Sequence, residues 1–134
     1  MYVPLSDAMT CPRCGPEHSL IMLADRVAER RVFEASFGCP NCQGRFPVVG
    51  GFGDLRPEPE TELPGAEAAP EPGTGEAAMR LAALIGVPRG PGYVLIAGPT
   101  ARMAPGIAAL VEDLEVVVVD EALAGWTEEP GVSR

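Results

Sequence analysis

Apolar positions along the chain fall into two blocks separated by a stretch that has almost none. In the first block, "SLIMLADRVAERRVFEASFG" (residues 19–38) carries two apolar-rich runs around a polar break, which fits two strands joined by a turn. Leu20, Met22, Val32, Phe33 and Phe37 are the expected core positions. "RFPVVGGFGDLRP" (residues 45–57) reads as a strand, a Gly-Gly turn and an apolar exit. In the second block, "EAAMRLAALIG" places Met79, Leu81, Ala82, Leu84 and Ile85 at helical spacing, and Gly86 with Pro88 ends the helix. "GYVLIAG" and "EVVVVD" are short apolar runs of the kind found in buried parallel strands. "PGIAALVEDL" between them predicts a helix with Pro105 at its first position and Ile107, Leu110 and Val111 on its apolar face. "EALAGW" is expected to open another helix.

The order α-β-α-β-α with only two strands predicts a partial α/β, Rossmann-like unit. The expected fold is therefore α+β overall: a small β-rich module at residues 1–56, a linker at 57–75 and the partial unit at 76–134. The linker is Pro, Glu, Gly and Ala with two threonines and one leucine. That composition cannot bury enough apolar surface to offset its ordering entropy, and it is expected to be an extended tether.

Charge narrows the functional classes. The net charge is -9, and all ten basic residues are arginine. Residues 1–56 balance six arginines against six acids, whereas residues 57–76 carry six glutamates and no base. No basic stripe is present to follow a phosphate backbone, so direct nucleic-acid binding is not expected. The N-terminus has no basic segment leading into an apolar one, and no apolar run approaches the ~20 residues that cross a bilayer. No membrane association is expected, and the chain reads as cytoplasmic, where thiols stay reduced.

That compartment governs the four cysteines. Cys11 and Cys14 lie in "CPRCG", Cys39 and Cys42 in "CPNCQG", and 24 residues separate the pairs. Two residues between thiolates let one tight turn present both sulfurs to one ion, so two such pairs predict a four-thiolate zinc ribbon. Four thiolates leave no position for water, which makes the zinc structural. Gly15 and Gly44 are expected to supply positive φ in the knuckles. Iron in a rubredoxin-like site is the rival, although few aromatics are available to surround it. His18, four residues past Cys14, is a substitute ligand on paper and a surface residue on balance. Such a module buries little surface and is expected to need its metal to fold.

"CPNCQGRFPVVGGFGDLRP" resembles the ending of the small zinc-ribbon proteins that activate RNA and protein methyltransferases. The same module occurs fused to the N-terminus of many bacterial class I methyltransferases. The match runs through Phe46, Pro47, Val48, Gly51, Leu55 and Pro57. The second block is similar to the first half of class I S-adenosylmethionine-dependent methyltransferases. Gly98 matches the first glycine of their cofactor loop, and Asp120, 22 residues on, matches the acid that holds the cofactor's ribose hydroxyls. The chain departs from that pattern at Ile96, where the family has an acid, and at Thr100 and Arg102, where it has glycines. Pro105 also implies a longer loop from Gly98 to Ala104.

The resemblance implies a zinc-ribbon protein of a methyltransferase system, truncated or degenerate, with structural zinc and S-adenosylmethionine as its possible ligands. The alternative is a non-enzymatic adaptor that binds a partner by strand addition. No Ser/His/Asp set can be assembled from one histidine beside the cysteines, so no catalytic residue is assigned. A two-stranded parallel sheet is not stable alone, which predicts a protein partner or a homo-oligomer.

Overall fold

A computed structural model of the chain describes residues 1–59, 75–120, 126 and 130–134. The molecule is α+β and divides into two compact units, Met1–Glu62 and Leu63–Arg134. Most of the expected linker lies outside the described residues. Among those described, no helix is long and apolar enough to cross a membrane.

The first unit opens with a 3-10 turn, Val3–Ala8, followed by β1 (Thr10–Cys11) and β2 (Gly15–Ser19), an antiparallel pair around the first cysteine knuckle. β3 (Ile21–Ala28), β4 (Arg31–Gly38), β5 (Arg45–Val49) and β6 (Phe52–Gly53) then form an antiparallel sheet in chain order. Both expected strands of residues 19–38 are present. Their turn has no glycine or asparagine: Glu29 and Arg30 themselves adopt positive φ, 48° and 62°.

Alternation sets the core. Phe46 and Val48 of β5 are buried while Arg45, Pro47 and Val49 are exposed, as a half-buried strand requires. Val32, Ala35 and Phe37 of β4 face the same interior, joined by Leu20, Leu5 and Met1. Full burial of Phe37 alone is worth about 1.5–3 kcal/mol. Register shifts beside Asp25 and Phe33 turn Phe33 away from the core. It lies half-buried beneath the Arg26 guanidinium, 4.4 Å from its ring centroid. Met22 is also only half-buried. The Met1 amine donates to the carbonyls of Val32 and Gly51, each at 3.1 Å, and ties the start of the chain to the sheet.

The second unit comprises α1 (Gly75–Ile85), β7 (Gly92–Ala97), a 3-10 turn (Gly98–Met103), α2 (Ala104–Leu110), β8 (Leu114–Val119) and β9 (Val132–Ser133). All three strands are parallel, in the order β7-β8-β9. The third strand corrects the expectation of two. Its two residues are too short to register as a hydrophobic pattern, yet Val116 pairs with Val132 and Val117 with Ser133. β8 is buried from Leu114 to Val118, as a strand covered on both faces should be. The expected helix at "EALAGW" falls on residues outside those described, apart from Trp126.

Both helices differ in detail from expectation. α2 begins at Ala104 with Pro105 second, because the preceding 3-10 turn runs straight into it. It ends at Leu110, which is half exposed, while Ile107 and Val111 are buried. α1 stops where expected, with Gly86 at φ 71° donating its N–H to the Ala82 carbonyl. Its large apolar residues are not the ones fully buried: Leu81 and Ile85 are half-buried. Ala78 is its buried residue, whereas Met79 and Leu84 are 59% and 84% exposed. Small residues draw α1 and α2 together: a Cβ added at Gly106 would lie 2.7 Å from Ala78 Cβ.

Candidate metal centre and strand-end residues

The two knuckles bring Cys11, Cys14, Cys39 and Cys42 into one cluster whose four Sγ atoms lie within 4.8 Å of one another. Cys11 Sγ is 3.7 Å from Cys42 Sγ, and Cys39 Sγ is 3.8 Å from Cys14 Sγ. A zinc ion with four Zn–S bonds of about 2.3 Å has tetrahedral sulfur–sulfur edges of about 3.8 Å. Two of the cluster's six edges thus have the length expected of a four-thiolate shell, and the others lie within 4.8 Å. Among the described residues the cluster is the one group of three or more potential metal ligands. His18 sits half-exposed on β2, outside the cluster.

Local structure explains the convergence. β1 and β2 flank the first knuckle, with Cys11 paired to Gly15, whose φ of 96° lets the chain turn back. β4 and β5 flank the second knuckle. Cys39 donates its N–H to the Gly44 carbonyl at 3.0 Å, and Gln43 donates to the Cys39 carbonyl at 2.9 Å. The positive φ of this knuckle lies at Gln43 (57°), one residue before the expected Gly44. Gly44 is needed for space instead. A Cβ there would meet Cys42 Sγ at 3.2 Å, Arg13 Nη1 at 3.3 Å and Phe46 Cζ at 3.4 Å.

The sulfurs differ in character. The backbone amide of Cys42, aided by that of Asn41, favours the Cys39 thiolate against the cost of burial and lowers its pKa to about 6. The Asn41 side chain, donating from Nδ2 to Cys14 Sγ at 3.4 Å, favours the Cys14 thiolate. Desolvation and the neighbouring sulfurs outweigh it, and the Cys14 pKa is raised to about 11. Four sulfurs this close cannot all ionise without a cation among them, and a dication removes the conflict. Cys42 is exposed, Cys14 half-buried, and Cys11 and Cys39 buried. With all four positions taken by protein ligands, such an ion would have a structural role and no open coordination site.

Sequence reasoning missed Arg13 and Asn41, two non-cysteine side chains near the cluster. Both occupy variable positions inside the CxxC turns, so spacing alone does not distinguish them. Arg13 lies over the Phe46 ring, 5.7 Å from its centroid, and its Nε donates to the Pro57 carbonyl at 2.5 Å. Asp54 anchors the same exit. Its backbone N–H donates to Pro47 O at 2.9 Å, and its buried carboxylate accepts from Arg56 Nε and Nη2 at 2.9 and 2.7 Å. Arg56 holds the Asp54 carboxyl below its ordinary range.

In the second unit, Ala97 of β7 pairs with Val119 of β8. Gly98 and Asp120 follow those paired residues, so the register sets them side by side at the carboxyl ends of adjacent parallel strands. Ligands of open parallel sheets collect at that end. Gly98 adopts φ 66°, and Asp120 is half-buried. The residues between Gly98 and Ala104, expected as a longer loop, are wound into the 3-10 turn. Thr100 Oγ1 donates to the Ala97 carbonyl at 3.1 Å, Ala101 is buried and Arg102 is exposed. Ile96, where the resemblance calls for an acid, is buried. A groove of about 300 Å³ runs between α1 and this turn, lined by Arg80, Leu81, Leu84, Thr100 and Met103 among others. Neither Gly98 nor Asp120 lines it.

Comparison with protein-family models gives no match, and no curated protein is significantly similar to the chain, so no family is assigned on those grounds.

Proposed function

We propose that this chain is a zinc-ribbon protein of a methyltransferase system, its ribbon stabilised by structural zinc and its second unit built on the opening part of an S-adenosylmethionine-type fold. One observation carries the reading of the second unit. Gly98 and Asp120, chosen from the sequence 22 residues apart, stand together at the carboxyl ends of neighbouring parallel strands. The strand order β7-β8-β9 is that of one half of a doubly wound sheet. In this reading the Gly98 backbone approaches the cofactor and the Asp120 carboxylate accepts from its ribose hydroxyls. No catalytic residue is assigned, since positioning a reactive cofactor supplies much of a methyl transfer's rate.

The test is calorimetric titration of the zinc-loaded chain with S-adenosylmethionine. Saturable binding at micromolar concentration that is lost in Asp120→Ala, with the circular dichroism unchanged, supports the reading. Absence of heat, with zinc confirmed, removes the cofactor from it.

A second reading is a non-enzymatic adaptor, and exposed apolar residues favour it. Tyr93 and Leu95 of β7 are 49% and 68% exposed, and Val119, on the same sheet face, is 57% exposed. A protein partner, or a second copy of the chain, would cover this face and extend the sheet past β7. An adaptor would ignore S-adenosylmethionine and self-associate when isolated, which light scattering after size exclusion would report.

A further inference from the structure

We infer that Cys42 is a hydroperoxide-sensitive sulfur, and that its oxidation forms a disulfide with Cys11 and opens the metal centre. The inference rests on the four-thiolate metal reading and goes beyond it. Three observations carry it. Cys42 is the exposed residue of the four, which makes it the first of them to meet a small oxidant from solvent. Cys11 Sγ, buried and on the opposite knuckle, is 3.7 Å from it and is placed to resolve an oxidised Cys42. Arg13 reaches the same side of the cluster: its Nη1 and Cys42 Sγ lie 3.3 and 3.2 Å from the point a Cβ at Gly44 would occupy, hence within 6.5 Å of each other. That guanidinium is held in place over Phe46 and by its bond to Pro57.

The chemistry balances with a hydroperoxide as oxidant. The Cys42 thiolate attacks the terminal peroxide oxygen, the O–O bond breaks, and the leaving hydroxide or alkoxide takes a proton from water. Negative charge develops on that leaving oxygen, where the Arg13 guanidinium stabilises it. Cys42 is then a sulfenic acid and a poor metal ligand. The Cys11 thiolate attacks its sulfur, the S–S bond forms and hydroxide departs. Two thiolates lose two electrons and one peroxide gains them. Cys14 and Cys39 alone cannot complete a tetrahedral shell, so the ion is lost to solvent.

The experiment uses the zinc-loaded full chain, with zinc content fixed by native mass spectrometry beforehand. Hydrogen peroxide is added beside a chromogenic chelator, and the product is digested without reduction for disulfide mapping. The expected result is one equivalent of zinc released together with a Cys11–Cys42 disulfide, reversed by dithiothreitol and zinc. Release should be roughly tenfold slower in Arg13→Ala, which retains all four ligands. Cys42→His, which keeps a four-ligand shell of three sulfurs and one imidazole, should bind zinc and resist release. A Cys14–Cys39 disulfide, an unchanged rate in Arg13→Ala, or equal release from Cys42→His would overturn the inference. A chain that binds no zinc at the outset would instead overturn the metal reading on which it rests.

Discussion

Gly44→Ala tests whether the second knuckle is packed against a sulfur that cannot move. The new Cβ would lie 3.2 Å from Cys42 Sγ, with Arg13 Nη1 at 3.3 Å and Phe46 Cζ at 3.4 Å. Ordinary contact to sulfur is about 3.8 Å, so the neighbours must yield by several tenths of an ångström. Phe46 is fully buried, and Cys42 is fixed once its sulfur binds a metal. Overpacking of this kind costs about 1–3 kcal/mol. An offset exists, because Gly44 does not occupy the left-handed region and alanine there would gain about 0.4–1 kcal/mol from a less flexible unfolded chain. The net effect is about 1 kcal/mol, a roughly fivefold weaker zinc affinity. Gly38→Ala is the control. It lies one residue before Cys39, and its added Cβ would find only Ile21 O at 3.9 Å. Competition with a chromogenic chelator should show Gly44→Ala weakened about fivefold and Gly38→Ala within about twofold of the parent. Equal affinities for the two variants would refute the argument that the Gly44 site is closed by the metal-bound sulfur.

Further predictions concern both units. Gly106→Ala should destabilise the second unit, because a 2.7 Å approach to Ala78 Cβ outweighs alanine's helix preference. A net cost of about 1 kcal/mol lowers the unit's Tm by roughly 4–8 °C. Adding Ala78→Gly should recover most of that loss in thermal circular dichroism, and a Gly106→Ala variant more stable than the parent would contradict the packing. Asp54→Asn should cost the zinc-loaded ribbon about 1–2 kcal/mol in urea unfolding, since it breaks the paired bonds to the partly exposed Arg56. The native Asp54 pKa lies below an unfolded value of about 3.9, so its contribution is fully present above that value and is lost only as pH falls through the native one. The gap between parent and Asp54→Asn should therefore be the same at pH 5 and pH 7, and a gap that shrinks by pH 5 would contradict the assignment.

What the sequence conveyed depended on the strength of each local signal. The cysteine knuckles were legible because metal ligation imposes a fixed spacing, and the β5–β6 turn because two adjacent glycines mark it. The Glu29–Arg30 turn carries no such residue, and only the polar break between two apolar-rich runs marked it. β9 is two residues long, so only its pairing with β8 reveals it. The apolar positions of α1 predicted a large-residue contact, whereas the helix packs through Ala78 on Gly106 and leaves Leu84 exposed. Close approach of two helices requires absent side chains, and a search for large apolar residues overlooks it. Gly44 was marked correctly as special for the wrong reason. Its role is a vacant volume beside Cys42 rather than a left-handed backbone. Gly98 and Asp120 were matched by spacing alone, and only the register of β7 and β8 shows that both follow the ends of neighbouring strands.

The most direct test of the account is zinc K-edge X-ray absorption on the purified chain, with metal content measured on the same sample. The account predicts one zinc per chain and a single shell of four sulfur scatterers at about 2.3 Å. A shell containing nitrogen or oxygen, or a chain purified without zinc that takes none up, would contradict it.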